Sequence, residues 1–81
     1  MLTAIILVSA TRGAVNETAE ALVRLPGVTE VHSIAGEWDL VAIVKVEKNE
    51  QLADLVTNRM LKLEGIQKTV TLVAFRTFTR Q

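Results

Sequence analysis

One pattern occurs in both halves of this 81-residue chain: a strand-like apolar run, a helical segment, a glycine and a second strand-like run. Leu25-Pro26-Gly27-Val28 ends the first helical segment, and Leu63-Glu64-Gly65-Ile66 ends the second. The resulting order is β-α-β-β-α-β. With right-handed crossovers it predicts an α+β, ferredoxin-like fold, in which a four-stranded antiparallel sheet carries both helices on one face. A chain of this length makes one domain, residues 1–81.

The predicted elements follow from the periodicity of the apolar residues. Strands are expected at residues 3–10, 28–35, 40–46 and 66–75, where β-branched residues are frequent. Helices are expected over residues 14–25, with Gly13 or Asn16 as the N-cap, and from Asn49, as the N-cap, to Gly65. The apolar stripes that define the two helices are Val15, Ala19, Leu22 and Val23, and then Leu52, Leu55, Val56, Met60 and Leu63.

The strands predict an apolar surface on both faces of the sheet. In the first strand Ala4, Ile6 and Val8 point to one side, and Ile5 and Leu7 point to the other. The third and fourth strands alternate in the same way. Two helices cover only one face, and monomers rarely leave so large an apolar patch in water. We therefore expect a second copy packed sheet to sheet, as a dimeric α/β barrel, with Ile43 and Val73 among the interface residues.

Composition argues against several classes of function. Cysteine is absent and His32 is the single histidine, so one chain offers neither a disulfide nor a Cys/His metal site. Nine basic and nine acidic residues give a formal net charge of zero, whereas nucleic-acid binders carry a basic excess or stripe. Neither Ser9 nor Ser33 stands in a G-x-S-x-G elbow, and no glycine-rich phosphate loop occurs. We expect no enzymatic activity, no cofactor and no direct DNA binding.

The N-terminal apolar run, residues 3–10, resembles neither a signal peptide nor a membrane span. No basic segment precedes it, and it is too short to cross a bilayer. We interpret it as a buried first strand. The expectation is a cytoplasmic protein without membrane contact.

A short polar stretch, Gly36-Glu37-Trp38-Asp39, joins the second and third predicted strands. Glycine reaches positive φ without a Cβ clash, so the stretch suits a hairpin turn. It also contains the single tryptophan of the chain and two carboxylates. The same residues are therefore candidates for a solvated turn and for a binding site.

Three segments together resemble the effector-binding (RAM) domain of the leucine- and asparagine-responsive transcription regulators, the Lrp/AsnC family. They are Leu25-Pro26-Gly27-Val28 with Val31, Gly36-Glu37-Trp38-Asp39-Leu40, and Gly65-Ile66-Gln67-Lys68-Thr69-Val70-Thr71-Leu72. The resemblance covers essentially the whole chain. It departs from the family in two respects: no helix-turn-helix domain precedes the first strand, and Trp38 stands where the family most often has tyrosine. A stand-alone RAM domain is therefore expected.

The resemblance implies that a free amino acid binds between subunits of a homodimer that assembles further, commonly to octamers. Asp39 would accept the ammonium group, while threonine hydroxyls and backbone N–H groups near Gly36 would bind the carboxylate. The resemblance also implies regulation of transcription or amino-acid metabolism through partners, among them full-length Lrp/AsnC regulators. The ligand-binding residues matched one by one are Gly36, Glu37, Trp38, Asp39, Gln67, Thr69 and Thr71.

Three other functions stay open at this point. An ACT-like regulatory domain has the same topology and would use the loop Thr11-Arg12-Gly13 as its site. A dimeric α/β-barrel enzyme would need a polar group such as His32 inside the barrel. A pure assembly protein would bind no small molecule.

Overall fold

The computed structural model describes residues 1–80, and the predicted β-α-β-β-α-β order is confirmed. Between α2 and β4 the chain passes through a π-helical segment, Leu55–Arg59, and a 3₁₀ turn, Met60–Lys62. No helix in these residues is long and apolar enough to cross a membrane. The elements in chain order are β1 (Leu2–Ala10), α1 (Val15–Val23), β2 (Val28–Ser33), β3 (Leu40–Val46), α2 (Asn49–Asp54) and β4 (Ile66–Val73).

The sheet has four strands in the order β2-β3-β1-β4, with every neighbouring pair antiparallel. At its centre Ile5 of β1 lies opposite Ile43 of β3 and Leu72 of β4. Residues directly across an antiparallel ladder project from the same face. The register therefore shows to which face of the sheet each side chain belongs. The strand order and the antiparallel pairing confirm the predicted ferredoxin-like fold.

The hydrophobic core lies between the helices and one face, which we call the covered face. Ala4, Ile6 and Val8 of β1 are fully buried there. Along β1 and β3, buried residues alternate with half-buried ones, so the helices of the same chain cover only one face of the sheet. The remaining fully or nearly fully buried core residues are Leu40, Ala42 and Val44 of β3, with Leu22, Leu52, Leu55 and Met60 from the helical segments.

The opposite face, which we call the open face, is apolar at its centre and has no helix over it. Val70 and Leu72 of β4 are 40% and 48% exposed. The expectation that Val73 shares this face is wrong, because Val73 lies opposite the buried Ala4 and so projects to the covered face. The apolar residues that the register places on the open face are Ile5, Leu7, Val41, Ile43, Val70 and Leu72.

Several predicted element ends differ from the observed ones. The first helix is capped by Ala14 rather than Gly13 or Asn16, and it ends at Val23, which is 45% exposed instead of buried. The fourth strand stops at Val73 instead of residue 75, and the Ala74 N–H still donates to the Thr3 carbonyl of β1 at 2.9 Å.

The second helical stretch begins and continues differently from the regular helix predicted. Its N-cap is Lys48 rather than Asn49, and Gln51 Oε1 accepts the Lys48 N–H at 2.9 Å. Residues five apart point in different directions in a regular α-helix. The wider π-helical turn keeps both Leu55 and Met60 buried on the core side.

The helical stretch ends at Lys62 rather than at the predicted Gly65, and Gly65 lies in the turn before β4, where its lack of a side chain matters for a contact with α1. A Cβ at this position would stand 2.0 Å from Oγ1 of Thr18, which is buried in α1. The Gly65 carbonyl also accepts the Thr11 N–H at 2.8 Å. The absence of a side chain at Gly65 therefore permits the close approach between α1 and the start of β4.

Candidate ligand-binding site

The connection between β2 and β3, residues 34–39, forms the predicted hairpin and is bonded to β1. The Ile34 N–H donates to the Asp39 carbonyl at 3.0 Å, which closes the loop. The Asp39 N–H donates to the Val8 carbonyl at 3.0 Å, which joins the loop to the central strand. Gly36 has φ of 125°, a value that residues with a side chain rarely adopt. The loop is therefore held in a defined position at one end of the sheet.

The carboxylate of Asp39 points toward β1. Its Oδ2 accepts the Ala10 N–H at 2.8 Å, in a part-buried position. Ala10 lies at the place where the pairing of β1 with β4 shifts register between Ser9 and Ala10. The carboxylate thus satisfies a backbone donor at an irregular point of the ladder, and it keeps acceptor capacity for a further donor.

Trp38 links the same loop to β4. The Nζ of Lys68 lies 5.3 Å from the centroid of the Trp38 ring, which is a cation–π contact. Lys68 is paired with Ser9, so its side chain belongs to the open face. Gly36 and Glu37 are exposed in the turn beside this contact.

Gln67, Thr69 and Thr71 do not share one orientation, although they are adjacent in the predicted site. Gln67 Oε1 accepts a hydrogen bond from Ser9 Oγ at 3.3 Å. Thr69 and Thr71 lie opposite Val8 and Ile6, both fully buried, and therefore project to the covered side of β4. Both threonines are half-buried along this edge strand.

The structure thus brings part of the predicted set together at one end of the open face. We call this group the polar end; it comprises Ser9, Gly36, Glu37, Trp38, Gln67 and Lys68. Asp39 lies behind it against β1, and Thr69 and Thr71 lie on the other side of β4. Ser9 and Lys68 were not predicted as site residues. Their alternation with Leu7 and with Val70 placed them on the open face, and this signal could have identified them.

Two surface cavities lie elsewhere on the described residues. One of about 550 Å³ lies beside Pro26, Gly27 and Val46, below α2, and one of about 300 Å³ lies between α1 and residues 63–65. Neither is lined by any of the seven predicted ligand-binding residues. Neither of these two cavities therefore encloses the polar end.

Two residues bear on the alternative functions. Arg12, in the loop an ACT-like site would use, is exposed, and the cavity beside that loop is lined by the acidic Glu17 and Glu64. His32 lies opposite Val41 on the open face, where its imidazole is hydrogen-bonded to Glu30 and about half exposed. His32 therefore occupies the rim of the open face, away from its apolar centre.

Fold and site together define a ferredoxin-like α+β domain with an apolar sheet face and a polar group at one end of that face. The chain belongs to the Lrp/AsnC ligand binding domain family, whose model matches residues 3–81. The family that the sequence resembles is thereby confirmed.

Relatives and solved structures agree with this membership. An uncharacterized HTH-type transcriptional regulator of Pyrococcus horikoshii is 43% identical over 61 residues, which are 75% of this chain and 41% of the regulator. The chain therefore spans less than half the length of this curated relative. The crystal structure of TTHA0845 from Thermus thermophilus is 44% identical, with a TM-score of 0.91 over 99% of this chain and 100% of that one.

A more distant structure has the same fold. It is a transcriptional regulator of Neisseria meningitidis in complex with L-Met, 20% identical, with a TM-score of 0.87 over 98% of this chain and 53% of that one. At this identity the likeness is one of fold.

Proposed function

We propose that this domain binds a free amino acid as a regulatory effector at the polar end of the open face. The observation that carries the proposal is the juxtaposition of an indole, an exposed carboxylate and hydrogen-bonding groups on an otherwise apolar face of an Lrp/AsnC ligand binding domain. A zwitterion with a side chain needs these three kinds of contact. The L-Met complex of the Neisseria meningitidis regulator supports the ligand class.

The proposed site lies between subunits. The centre of the open face consists of aliphatic side chains, and burying one fully contributes roughly 1.5–3 kcal/mol. A second copy packed on this face, as a dimeric α/β barrel, covers the aliphatic centre and converts the polar end from an open surface into an enclosed site. Assembly beyond the dimer, to an octamer or a similar particle, is part of the proposal.

The seven matched residues have different tasks in this proposal. Glu37 and Trp38 face the ligand, and Gly36 gives the turn its conformation. Asp39 holds the turn against β1 through Ala10 while its remaining acceptor capacity faces the ammonium group. Gln67 extends the polar end along β4. Thr69 and Thr71 contribute from the edge of β4, where an adjacent subunit would close over both sides of the strand.

The regulatory output is proposed to act on transcription through partners. The curated relatives are named as HTH-type transcriptional regulators, and they are about twice as long as this chain. Co-assembly with a full-length Lrp/AsnC regulator would combine this domain with a DNA-binding domain of the partner. The domain itself is proposed to bind no DNA and to catalyse no reaction.

A ligand screen tests the central proposal. A thermal-shift screen of the twenty amino acids should give a higher melting temperature with at least one, because a ligand that binds only the folded state stabilises it by mass action. Calorimetry on Trp38→Ala should then show weaker binding. Leu61→Ala, which removes another exposed apolar side chain outside the polar end, is the matched control. No shift with any amino acid at millimolar concentration would refute the proposed ligand class.

Fluorescence anisotropy with duplex DNA tests the regulatory arrangement. Because the formal net charge is zero, we expect no salt-sensitive binding by the domain alone. Tight binding at low salt that weakens steeply as salt increases would contradict action through a DNA-binding partner.

A further inference from the structure

Lys68 occupies the polar end without a charged partner. Its ammonium lies 5.3 Å from the Trp38 ring centroid, and its side chain shares the open face with Ser9. The ion pairs within residues 1–80 are Glu30 with His32 and Asp54 with Arg59, so no carboxylate in that part of the chain neutralises Lys68. A positive charge is thus held beside an apolar surface by an aromatic ring.

Glu37 supplies the opposite charge in the same turn. It is exposed, and it takes part in neither of these ion pairs. Trp38 follows it directly in the sequence and contacts Lys68. The polar end therefore presents one cation, one anion and an indole, and the two charges form no ion pair with each other.

Three of the other predicted polar residues, Asp39, Thr69 and Thr71, are poorly placed to bind a carboxylate on the open face. Asp39 is itself an anion and already accepts the Ala10 N–H. Thr69 and Thr71 project to the covered side of β4. Lys68 is the cation that the register brings to the same face as Ser9 and the same end as Trp38.

We propose that Lys68 binds the α-carboxylate of the ligand and that Trp38 positions the Lys68 ammonium while providing an apolar wall for the ligand side chain. This inference rests on the proposed amino-acid function and specifies its chemistry. The ligand is a zwitterion whose carboxylate pairs with Lys68 and whose ammonium faces the carboxylates of the hairpin, Glu37 and the remaining acceptor of Asp39. A molecule without a carboxylate lacks the main charge-assisted contact.

Enclosure by a second copy strengthens this contact. Charge pairs gain strength when water is excluded, and an unpaired buried charge is unfavourable. An assembly that covers the open face without ligand leaves Lys68 partly desolvated and unpaired. The ligand carboxylate removes that cost, so ligand binding and subunit association favour each other.

The test compares Lys68→Met, Lys68→Arg and Lys48→Met by calorimetry with the amino acid that stabilises the wild type most and with its α-amide. Lys48 is exposed, lies outside the sheet at the start of α2, and is the matched control. Lys68→Met should bind the amino acid roughly ten- to a hundredfold more weakly. Lys68→Arg should keep most of the affinity, and Lys48→Met should keep all of it. The wild type should prefer the acid to the amide, and Lys68→Met should lose that preference.

Trp38 fluorescence gives an independent readout, because Trp38 is the single tryptophan. Ligand binding should change its emission in the wild type, since the carboxylate draws the ammonium away from the ring, and the change should be smaller in Lys68→Met. Unchanged affinity in Lys68→Met, or equal binding of acid and amide by the wild type, would overturn the role of Lys68 and leave the proposed function standing. If no amino acid binds the wild type, the proposed function fails and the role of Lys68 fails with it.

Discussion

The two faces of β1 are built from the same kinds of residue and have different surroundings. Ala4, Ile6 and Val8 are fully buried beneath the helices, whereas Ile5 and Leu7 are only half-buried on the open face. The covered face is therefore completed by folding of one chain. The open face has comparable apolar character and is left uncovered by the same chain, and in the proposed dimer a second copy covers it. On that proposal, residues of the covered face stabilise the fold and residues of the open face stabilise the assembly.

Substitutions of two adjacent isoleucines, Ile5 and Ile6, should give the largest measurable difference between the two faces. Ile6→Ala should lower the free energy of unfolding by about 2–5 kcal/mol, because it leaves a cavity in a packed core. Ile5→Ala should have a smaller effect, and that effect should depend on protein concentration because the residue would act through subunit contact. Urea denaturation at two protein concentrations measures both. Equal, concentration-independent losses for the two variants would show that the open face is not an interface.

A charge in the middle of the open face should act on assembly. Ile43→Asp should raise the dissociation constant of the dimer roughly ten- to a hundredfold, since it replaces about 1.5–3 kcal/mol of apolar burial with a desolvated charge. Val73→Asp is the matched control, because Val73 is a half-exposed valine on the other side of the sheet. Sedimentation equilibrium at micromolar concentration distinguishes the masses. A monomeric wild type, or dissociation by both substitutions alike, would be evidence against sheet-to-sheet packing.

Substitutions in the hairpin between β2 and β3, residues 34–39, should have the smallest effect on the free energy of unfolding. Asp39→Ala should lower the free energy of unfolding by roughly 1–2 kcal/mol, because the Ala10 N–H loses its acceptor at the register shift. Glu37→Ala should change it by less than about 0.5 kcal/mol, as expected for an exposed surface residue. Thermal unfolding without ligand compares them. Similar stability of the two variants would mean that Asp39 does not anchor the turn.

Local patterns in the sequence were sufficient for the order of elements and for much of the sheet. β3 spans Leu40–Val46 as predicted, because a run rich in β-branched residues and bounded by polar residues is a strong strand signal. The alternation within β1 correctly separated Ile5 and Leu7 from Ala4, Ile6 and Val8. Gly36 was correctly placed at a turn. In each case the information lies within a few neighbouring residues.

Helix ends and the course of the second helix depended on contacts that local patterns do not contain. Ala14 caps α1 without a side-chain hydrogen bond, so no preference for a capping residue type could identify it. The π-helical segment keeps Leu55 and Met60 in one core, and a regular helix predicted from the apolar stripe does not include this widening.

The sequence by itself determined which residues are polar near the hairpin and near the start of β4, and tertiary structure decided which of them meet. Periodicity assigns side chains to alternating faces within one strand, but it does not relate one strand to the next. In the β1–β4 register Thr69 and Thr71 lie opposite the buried Val8 and Ile6, on the covered side, and Lys68 lies opposite Ser9 on the open face; the register shift follows these pairs, between Ser9 and Ala10, beside Gln67. The contact of Lys68 with Trp38 joins residues far apart in the chain, and it exists because the folded sheet places β4 beside β1 and bonds the hairpin to β1.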